Sequence, residues 1–407
     1  RPGSDQGRDA TMGKRRMGGL GAAMAGVVVV LGTATAEAGP MRYAVIDLGG
    51  PPETVAALPR NVDASGRAIF STRGSDGQAH PFVSDGGRLL ELPGLGGRDF
   101  AMSDGGRIVG QSTATGKLHF YRAEGGALVD EGEAAATVPG FPVGINDRGQ
   151  VITYDYNATY LYNSDDGKVV TLTSSFTGQV TVRGLNNHGQ AVGGAPGGPN
   201  GWMQPMLFQD GRAIDLGRPP GALGGSAAAI NDAGQILVTA LNEQGIGDRS
   251  FLYAGGQKID LGHLGGYSNG GTAINHAYAL NESGQIVGIS TIAAGKATIG
   301  ENFHPYLYDQ GQLLDLNDVI PPDARWVLDW VYDINDAGQI VGEGVHDGYR
   351  RSFLLDPLGP APPVDPAPIP EPTALVLWAA AGAGGWGVRR WRTGRPPRGR
   401  AAPARPA

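Results

Sequence analysis

Short apolar segments alternate with turns along most of the chain, and one polar phrase recurs between them. The phrase consists of an apolar residue, Asn, usually an acidic residue, any residue, Gly, Gln and another apolar residue. Full copies lie at 144–151, 184–191, 229–236, 279–286 and 333–340, and weaker copies at 62–69 and 101–108. Asn and Asp favour turns by bonding their own backbone, and Gly adopts positive φ easily. Each copy therefore predicts two strands joined by a tight turn.

The turn glycines give the period of the repeat. They are Gly66, Gly106, Gly149, Gly189, Gly234, Gly284 and Gly338, seven positions separated by 40 to 54 residues. A second phrase follows each first one, as at 205–217 and 250–262, with an aromatic-rich strand, a turn and a strand ending near Asp-Leu. Each unit thus contains two hairpins, and four strands at this period are typical of a β-propeller blade.

The two ends of the repeat region complement each other. The seventh unit stops after 352–356, which matches only the third strand of the other units. The missing fourth strand is found at the other end, where 43–50 matches 259–262. We therefore predict an all-β fold at 39–356, a seven-bladed β-propeller of four-stranded blades closed by the N-terminal strand. A β-sandwich array and an open stack of repeats are the alternatives.

Composition and charge limit the chemistry of this body. The absence of cysteine excludes disulfides, Cys-ligated metal centres and Cys nucleophiles. The net charge is −7, although 373–407 contains seven Arg and no acidic residue, so the body is more acidic than the whole chain. Nucleic acid is therefore not expected as a partner, because phosphate binding needs clustered Lys and Arg. Cations or neutral sugars suit such a surface better.

The N-terminal stretch is typical of an export signal. Lys14, Arg15 and Arg16 precede a short apolar run at 18–31, and small residues around Ala36 and Ala38 offer cleavage sites. We predict upstream sequence and a signal peptide at 1–38, with a buried or anchoring helix as the alternative.

The C-terminal stretch has three parts in a fixed order. A Pro-rich linker at 357–369 precedes Pro370, Glu371 and Pro372, which are followed by an apolar run at 373–388. The basic cluster Arg389, Arg390 and Arg392 comes next, and 393–407 is predicted to be a basic disordered tail. The apolar run predicts a transmembrane helix whose arginines stay cytoplasmic.

The order of motif, helix and basic cluster at 370–392 resembles the PEP-CTERM sorting signal of Gram-negative bacteria. This resemblance implies that an exosortase-type enzyme recognises and processes the tail. It also implies transient anchoring in the inner membrane and a destination at the cell surface or in the extracellular matrix. A plain C-terminal membrane anchor is the alternative.

The second phrases carry a further resemblance. The openings 80–82, 119–121 and 304–306, each His followed by aromatic or Pro-aromatic residues, resemble the HAF-type extracellular repeat. This family implies a secreted repeat protein with no assigned chemistry. Other units depart from the pattern, with Thr159, Gln204, Arg249 or Arg351 in place of His.

Candidate chemistry is weighed against structural roles. Equivalent histidines on different blades are spread around a ring, so we expect His80, His119 and His304 to be structural and not metal ligands. The recurring Asp residues, Asp47, Asp215, Asp260 and Asp315, could form an acidic ring or cap strand ends. The Asn-Asp turns lack the ligand spacing of an EF-hand. Calcium at loop ends nevertheless stays open as a cofactor, and the sequence predicts no other cofactor. Trp202, Trp326 and Trp330 could stack on sugars, but packing between blades is the simpler expectation.

No Ser/His/Asp order, P-loop or zinc-protease motif is present, so we expect no enzymatic activity. The sequence predicts an exported, surface-sorted repeat protein that binds extracellular polysaccharide or a surface protein. A carbohydrate-active enzyme and a purely structural matrix protein are the alternatives.

Overall fold

The computed structural model describes residues 41–49, 55–74, 77–176, 178–197, 201–243, 245, 248–266, 273–292 and 303–360. All of them belong to one compact unit that runs from Ala38 to Pro362. The predicted signal peptide, including Ala36 and Ala38, lies outside these residues. So do the sorting motif at 370–372, the apolar run and the Arg cluster at 389–392. Among the described residues, no helix is long and apolar enough to cross a membrane.

The described strands form seven antiparallel four-stranded sheets, here called blades 1 to 7. Blade 1 contains β2 (Val55–Val62), β3 (Ala68–Arg73), β4 (Ala79–Asp85) and β5 (Arg88–Glu91), and blade 2 contains β6 (Leu95–Met102), β7 (Arg107–Ser112), β8 (Leu118–Glu124) and β9 (Ala127–Glu133). Blade 3 contains β10 (Phe141–Ile145), β11 (Gln150–Tyr154), β12 (Thr159–Asn163) and β13 (Val169–Leu172), and blade 4 contains β14 (Thr181–Leu185), β15 (Ala191–Pro196), β16 (Met203–Gln209) and β17 (Arg212–Asp215).

Blade 5 contains β18 (Ala222–Ile230), β19 (Ile236–Asn242), β20 (Asp248–Ala254) and β21 (Gln257–Asp260), and blade 6 contains β22 (Asn275–Leu280), β23 (Ile286–Thr291), β24 (Phe303–Asp309) and β25 (Gln312–Asp315). Blade 7 contains β26 (Trp326–Ile334), β27 (Ile340–His346), β28 (Tyr349–Pro360) and β1 (Met41–Asp47). Two short 3-10 turns, Leu316–Asp318 and Pro322–Ala324, connect blades 6 and 7.

The predicted tight turn joins the first two strands of every blade. In blade 3 the backbone N–H of Gly149 donates to the carbonyl of Asn146 at 2.9 Å, and Gly149 has a φ of +75°. The other six predicted turn glycines have φ between +75° and +83°, a region that glycine enters without the steric cost of a side chain. The sequence prediction of strand, turn and strand is therefore confirmed in all seven units.

The N-terminal strand closes the ring. β1 lies antiparallel to β28, with Val45 opposite Leu355, and supplies the fourth strand of blade 7. Blade 7 then contacts blade 1 directly, because Asp333 accepts a hydrogen bond from the backbone N–H of Val62 at 3.0 Å. The predicted seven-bladed β-propeller, closed by the N-terminal strand, is confirmed.

The predicted boundary between the body and the linker is wrong by four residues. We placed the linker at 357–369, but β28 continues to Pro360 because Met41 and Arg42 pair with Pro360 and Gly359. The register shifts between Arg42 and Tyr43, so Leu358 is the extra residue of a bulge and is 59% exposed. A bulge is one of the places where a strand tolerates proline, which explains how this Pro-containing segment stays in the sheet.

The hydrophobic core lies between neighbouring blades. Blades 1 and 2 share a cluster that includes Ile69 and Val83 from one sheet and Phe100, Ile108 and Tyr121 from the next. Similar clusters occur around the ring, and the last joins Val62 and Ala68 of blade 1 to Val341 and Leu354 of blade 7. Each blade therefore buries both of its faces against its neighbours, so the ring is held together by apolar contact on every side.

Candidate functional site

The buried Asn of each complete turn phrase joins its blade to the next one. Asn231 is 3% exposed, and its Oδ1 accepts from the backbone N–H of Gln235 at 2.9 Å. Its Nδ2 donates to Gln235 Oε1 at 2.7 Å and to the carbonyl of Asn281, in the next blade, at 3.0 Å. Asn146, Asn186, Asn281 and Asn335 make the same bonds. We call these five residues the asparagine latches.

The two weaker copies replace the latch with an arginine. In blade 1, Asp63 cannot donate, and Arg67 instead bonds Asp63 at 2.6 Å and the Ala123 carbonyl of blade 2. In blade 2, Ser103 accepts from the backbone of Arg107, whose guanidinium reaches Ser164 of blade 3 at 3.4 Å. In these two copies the Asn and Gln positions of the phrase thus change together, and each changed pair keeps a hydrogen bond between blades.

In blades 2 to 7, the residue that follows the Asn position of the phrase contributes its side chain to a ring at one mouth of the central channel. We define this channel-mouth ring as Asp104, Asp147, Asn187, Asp232, Glu282 and Asp336. In most blades the side chain accepts a hydrogen bond from the backbone of the preceding turn. These bonds run from Gly105 to Asp147 (2.6 Å), Asp147 to Asn187 (2.9 Å), Asn187 to Asp232 (2.7 Å), Asp232 to Glu282 (2.7 Å) and Glu282 to Asp336 (2.9 Å). The ring consequently concentrates five carboxylates at one opening.

Below this ring, β-bulges place variable residues along the channel wall. The register of the innermost strand shifts in every blade, and in blades 3 to 7 the skipped residue lies three positions before the Asn of the phrase. These residues are Val143, Arg183, Ala228, Tyr278 and Tyr332, all of which line a central cavity of about 230 Å³. The fold therefore fixes the position, while the side chain varies, being Val, Arg and Ala in blades 3 to 5 and Tyr in blades 6 and 7.

The carboxylates of the channel mouth perturb one another. Solvent reaches Asp104, but the surrounding wall reduces its hydration and raises its pKa to about 8. The nearby charges of Asp333, Asp336, Asp147 and Glu282 add to this effect. Burial also raises the pKa of Asp333 to about 6, even though hydrogen bonds from Val62 and Asn61 favour its charged form. The mouth thus holds groups whose charge changes between acidic and mildly alkaline pH.

The His of the HAF-type openings makes cross-strand contacts inside single blades. His119 contacts Asp130 at 2.7 Å, His304 contacts Asp315 at 2.7 Å and His80 contacts Glu91 at 3.3 Å. Arg249 replaces His in blade 5 and pairs with Asp260. Each pair links the third strand of a blade to the fourth, so these histidines do not converge on a common point.

In blade 7, the corresponding pair joins the third strand to the N-terminal strand that closes the ring. Arg351 on β28 contacts Asp47 at 3.5 Å, and Asp47 belongs to the N-terminal strand. Asp47, Asp215 and Asp260 also accept from the backbone of their own Gly two residues later, at 2.8 to 3.1 Å. Asp315 does the same with Asn317 at 3.0 Å. These Asp residues therefore cap strand ends on the outer strands and do not form an acidic ring.

The three tryptophans are placed among other side chains. Trp326 is 9% exposed. Its ring stacks on that of His346 with 4.8 Å between ring centres, and it meets the Phe353 ring edge-on with 5.8 Å between centres. Trp330 contacts Tyr278 of blade 6 at 5.7 Å, across the blade boundary. Trp202 is half-buried at the start of β16 in blade 4. The contacts of Trp326 and Trp330 are those of packing within and between blades.

An exposed aromatic cluster lies at the opposite end of β11 from the tight turn. Tyr156 is 73% exposed in the loop between β11 and β12. Its ring lies 5.5 Å from that of Tyr154 and 6.3 Å from that of Phe141, both in edge-type geometry. We call these three residues the aromatic platform. Sequence analysis missed it because Tyr154 and Tyr156 lie between the phrase at 144–151 and the second phrase, which opens at Thr159, so they belong to neither repeated phrase.

The two longest repeat units contain inserts at 267–278 and 293–303, which are only partly described. His276, at the start of β22, contacts Asp248 of blade 5 at 2.8 Å and lies 4.8 Å from the Tyr278 ring. Residues 267–272 and 293–302 lie outside the described residues. Within the described part of the chain, no group of three or more His, Asp or Glu side chains is arranged to hold a metal ion.

Comparison with known proteins gives similarity of fold only. No protein-family model matches the chain, and no curated protein matches it. The uncomplexed acylaminoacyl peptidase of Pyrococcus horikoshii is 9% identical, with a TM-score of 0.50 over 76% of this chain and 53% of that one. This chain thus spans about half the length of that peptidase.

Two further solved structures have lower TM-scores. The β-propeller domain of the Trilobed protease from Pyrococcus furiosus is 11% identical, with a TM-score of 0.49 over 80% of this chain and 100% of that one. The oligogalacturonate lyase of Vibrio parahaemolyticus is 12% identical, with a TM-score of 0.47 over 77% and 93%. At these identities the similarity bears on architecture alone. The assignment of a seven-bladed β-propeller rests on the strand order and pairing described above.

Proposed function

We propose that this protein is an exported, surface-sorted binding module without catalytic activity. Its ligand in this proposal is an extracellular polysaccharide or a surface protein, and nucleic acid is not a partner. The sorting part of the proposal rests on the sequence of the two ends, with an exosortase-type enzyme acting at Pro370, Glu371 and Pro372. The binding part rests on how the repeat uses its residues.

One observation supports a binding role most directly. The residues that define the repeat are occupied in structural contacts: Asn231 bonds to the next blade, and His119 pairs with Asp130 inside its own blade. The positions that face the channel, such as Arg183 and Tyr278, differ between blades. A scaffold that fixes backbone positions while varying the side chains they display is the usual arrangement of a binding surface on a rigid fold.

The sorting proposal is tested on the protein purified from its own cells. Mass spectrometry should find a chain that begins near Ala38 and ends near Pro370–Pro372 if both ends are processed. The protein purified from cells that lack the exosortase-type enzyme should retain Arg389 and the basic tail. An intact tail in cells with active sorting would contradict the processing proposal.

The binding proposal is tested with the purified full-length chain. We expect retention on at least one class of extracellular polysaccharide or on intact cell surfaces, without release of reducing ends or of other soluble products. Release of reducing ends that depends on the protein would favour a carbohydrate-active enzyme instead. Failure to bind any polysaccharide, protein extract or cell surface would favour a structural matrix protein.

A further inference from the structure

We propose that the aromatic platform of blade 3, Phe141, Tyr154 and Tyr156, binds a neutral polysaccharide by stacking against its sugar rings. This inference rests on the proposed binding function and names both a ligand class and a site for it. The site lies at the end of β11 opposite the channel-mouth ring. It is therefore separate from the acidic opening of the channel.

Tyr156 has a strained backbone conformation that burial of its side chain does not compensate. The residue has a φ of 67°, in the left-handed region that bulky side chains rarely occupy. Such a conformation is unfavourable for a side chain of this size, and a ring that is 73% exposed gains little from burial in return. Residues held in such backbone conformations cluster at active sites and ligand sites.

The loop is fixed by its own hydrogen bonds before any ligand arrives. Asp155 Oδ1 accepts from the backbone N–H groups of Asn157 and Ala158 at 3.0 and 2.8 Å. Asp155 Oδ2 accepts from the hydroxyl of Tyr160 at 3.1 Å. Both carboxylate oxygens are therefore engaged, and Tyr156 lies between residues whose backbone is held.

The neighbouring segment packs closely beneath the platform. The Thr153 hydroxyl donates to the carbonyl of Pro139 at 2.7 Å, which pins the loop before β10 to the end of β11. Gly140 has a φ of +83°, and a Cβ at this position would lie only 2.4 Å from the carbonyl of Tyr154. Glycine at this position lets the two segments approach, and this approach brings Phe141 to the two tyrosines. The platform is thus preorganised, which lowers the entropic cost of binding.

The size and surroundings of the platform favour a sugar over a protein. A stable protein interface needs roughly 800 Å² from each partner, far more than one exposed tyrosine with two half-buried neighbours offers. A pyranose ring has an apolar face that matches a single aromatic ring and hydroxyls that need hydrogen-bonding groups at its edge. The exposed amide of Asn157 supplies such a group.

Charge decides between neutral and acidic polysaccharides. Backbone N–H bonds from Ala158 and Asn157 hold the pKa of Asp155 below its ordinary value, so this carboxylate stays ionised beside Tyr156 at neutral pH. The chain as a whole carries a net charge of −7. A polyuronate would be repelled by both, whereas a neutral hexose polymer would not.

The test compares two equally exposed tyrosines. Tyr349 is the first residue of β28, directly after the corresponding loop of blade 7, and is 70% exposed. The purified full-length chain and its Tyr156→Ala, Tyr156→Phe and Tyr349→Ala variants are run in affinity gels containing dextran, hydroxyethylcellulose, galactomannan or polygalacturonate. Thermal unfolding of each variant is measured alongside, and exposed substitutions should leave it within about 2 °C of the parent.

We expect the parent to bind at least one neutral polymer and Tyr156→Ala to weaken that binding about tenfold or more, equivalent to about 1.4 kcal/mol. Tyr156→Phe keeps the ring and should stay within about threefold, as should Tyr349→Ala. Unchanged binding by Tyr156→Ala, or an equal loss in Tyr349→Ala, would overturn the inference but leave the binding function intact. Binding to polygalacturonate alone would also overturn it. Binding to none of the four polymers would overturn it as well, and retention on cell surfaces would then show whether the binding function survives.

Discussion

The bonds of a single latch residue set the contribution of one turn to the stability of the ring. Replacing Asn231 with Ala removes both donations of its amide and leaves the part-buried backbone N–H of Gln235 without its acceptor. Unpaired buried polar groups cost about 1–3 kcal/mol each, so Asn231→Ala should lower the free energy of unfolding by about 2–4 kcal/mol. Urea unfolding followed by tryptophan fluorescence measures this difference.

The matched control lies two residues away in the same turn. Ala233 is exposed, and Ala233→Ser should change stability by less than about 0.5 kcal/mol. If Asn231→Ala were as stable as Ala233→Ser, the hydrogen bond from Asn231 to Asn281 would contribute nothing to the ring, and the role given to the latches would be wrong.

The sequence predicted the local half of this arrangement and missed the other half. The order Asn, Gly and Gln specifies a turn because each residue acts on the backbone of its own segment. No local sequence feature indicates that Nδ2 of Asn231 reaches a carbonyl 50 residues later in the chain. The paired changes of Asp63 with Arg67 and Ser103 with Arg107 were visible as weaker copies, but their meaning depends on the neighbouring blade.

At the scale of the element, β1 decides whether blade 7 is complete. Tyr43 is fully buried among residues of blades 6 and 7, including Leu307, Phe353 and Leu355. Tyr43→Ala should therefore lower the free energy of unfolding by about 3–5 kcal/mol, the usual cost of removing a buried aromatic ring. Ile46 lies on the same strand and is 44% exposed, so Ile46→Ala should cost less than about 1 kcal/mol.

A third substitution separates packing from hydrogen bonding on this strand. The Tyr43 hydroxyl is buried with no hydrogen-bond partner in the described structure. Tyr43→Phe removes this polar group and keeps the ring, so it should leave stability unchanged or raise it. Equal stability of Tyr43→Ala and Ile46→Ala in urea unfolding would contradict the closure of the ring through β1.

Elements were predictable to the extent that each unit repeats the others. The match between 43–50 and 259–262 identified the fourth strand of blade 7, because hydrophobic alternation and the Asp-Leu-Gly ending are local features. The end of β28 was not predictable, because Pro357 and Pro360 suggest a linker and only pairing with Tyr43 and Met41 keeps them in the sheet. The bulges at Val143 and Arg183 were hidden for the same reason, since a bulge is defined by the partner strand.

At the scale of the whole molecule, the two ends of the channel axis differ in chemistry. The tight turns bring Asp104, Asp147 and Asp232 to one mouth, while the loop after β11 presents Tyr156 at the other end of its blade. The sequence could predict that acidic turns recur, but not that they meet, because convergence requires the ring to close. A ligand surface built from non-repeating residues carries no periodic signal at all, which is why the platform emerged only from the structure.

Asp104 provides a test of whether the channel mouth behaves as one electrostatic unit. Its folded-state pKa of about 8 lies above the value of an unfolded Asp, so the native state binds more protons than the unfolded state between about pH 4 and 8. Stability attributable to this group is therefore greatest at acidic pH and decreases as pH rises through that window. Asp104→Asn removes the titration, so the variant should match the parent near pH 4 and unfold at a higher temperature near pH 8.

The control for this prediction is a carboxylate in the outer hairpin of the blade 3 sheet. Asp165 is exposed between β12 and β13, and Asp165→Asn also removes one negative charge from the molecule. Asp165 is not part of the channel-mouth ring, so Asp165→Asn should change the pH dependence of unfolding less than Asp104→Asn does. Thermal unfolding at half-unit pH steps gives both curves. Parallel curves for Asp104→Asn and Asp165→Asn would mean that Asp104 is hydrated like a surface group, and the channel-mouth ring would then hold separate charges instead of a coupled set.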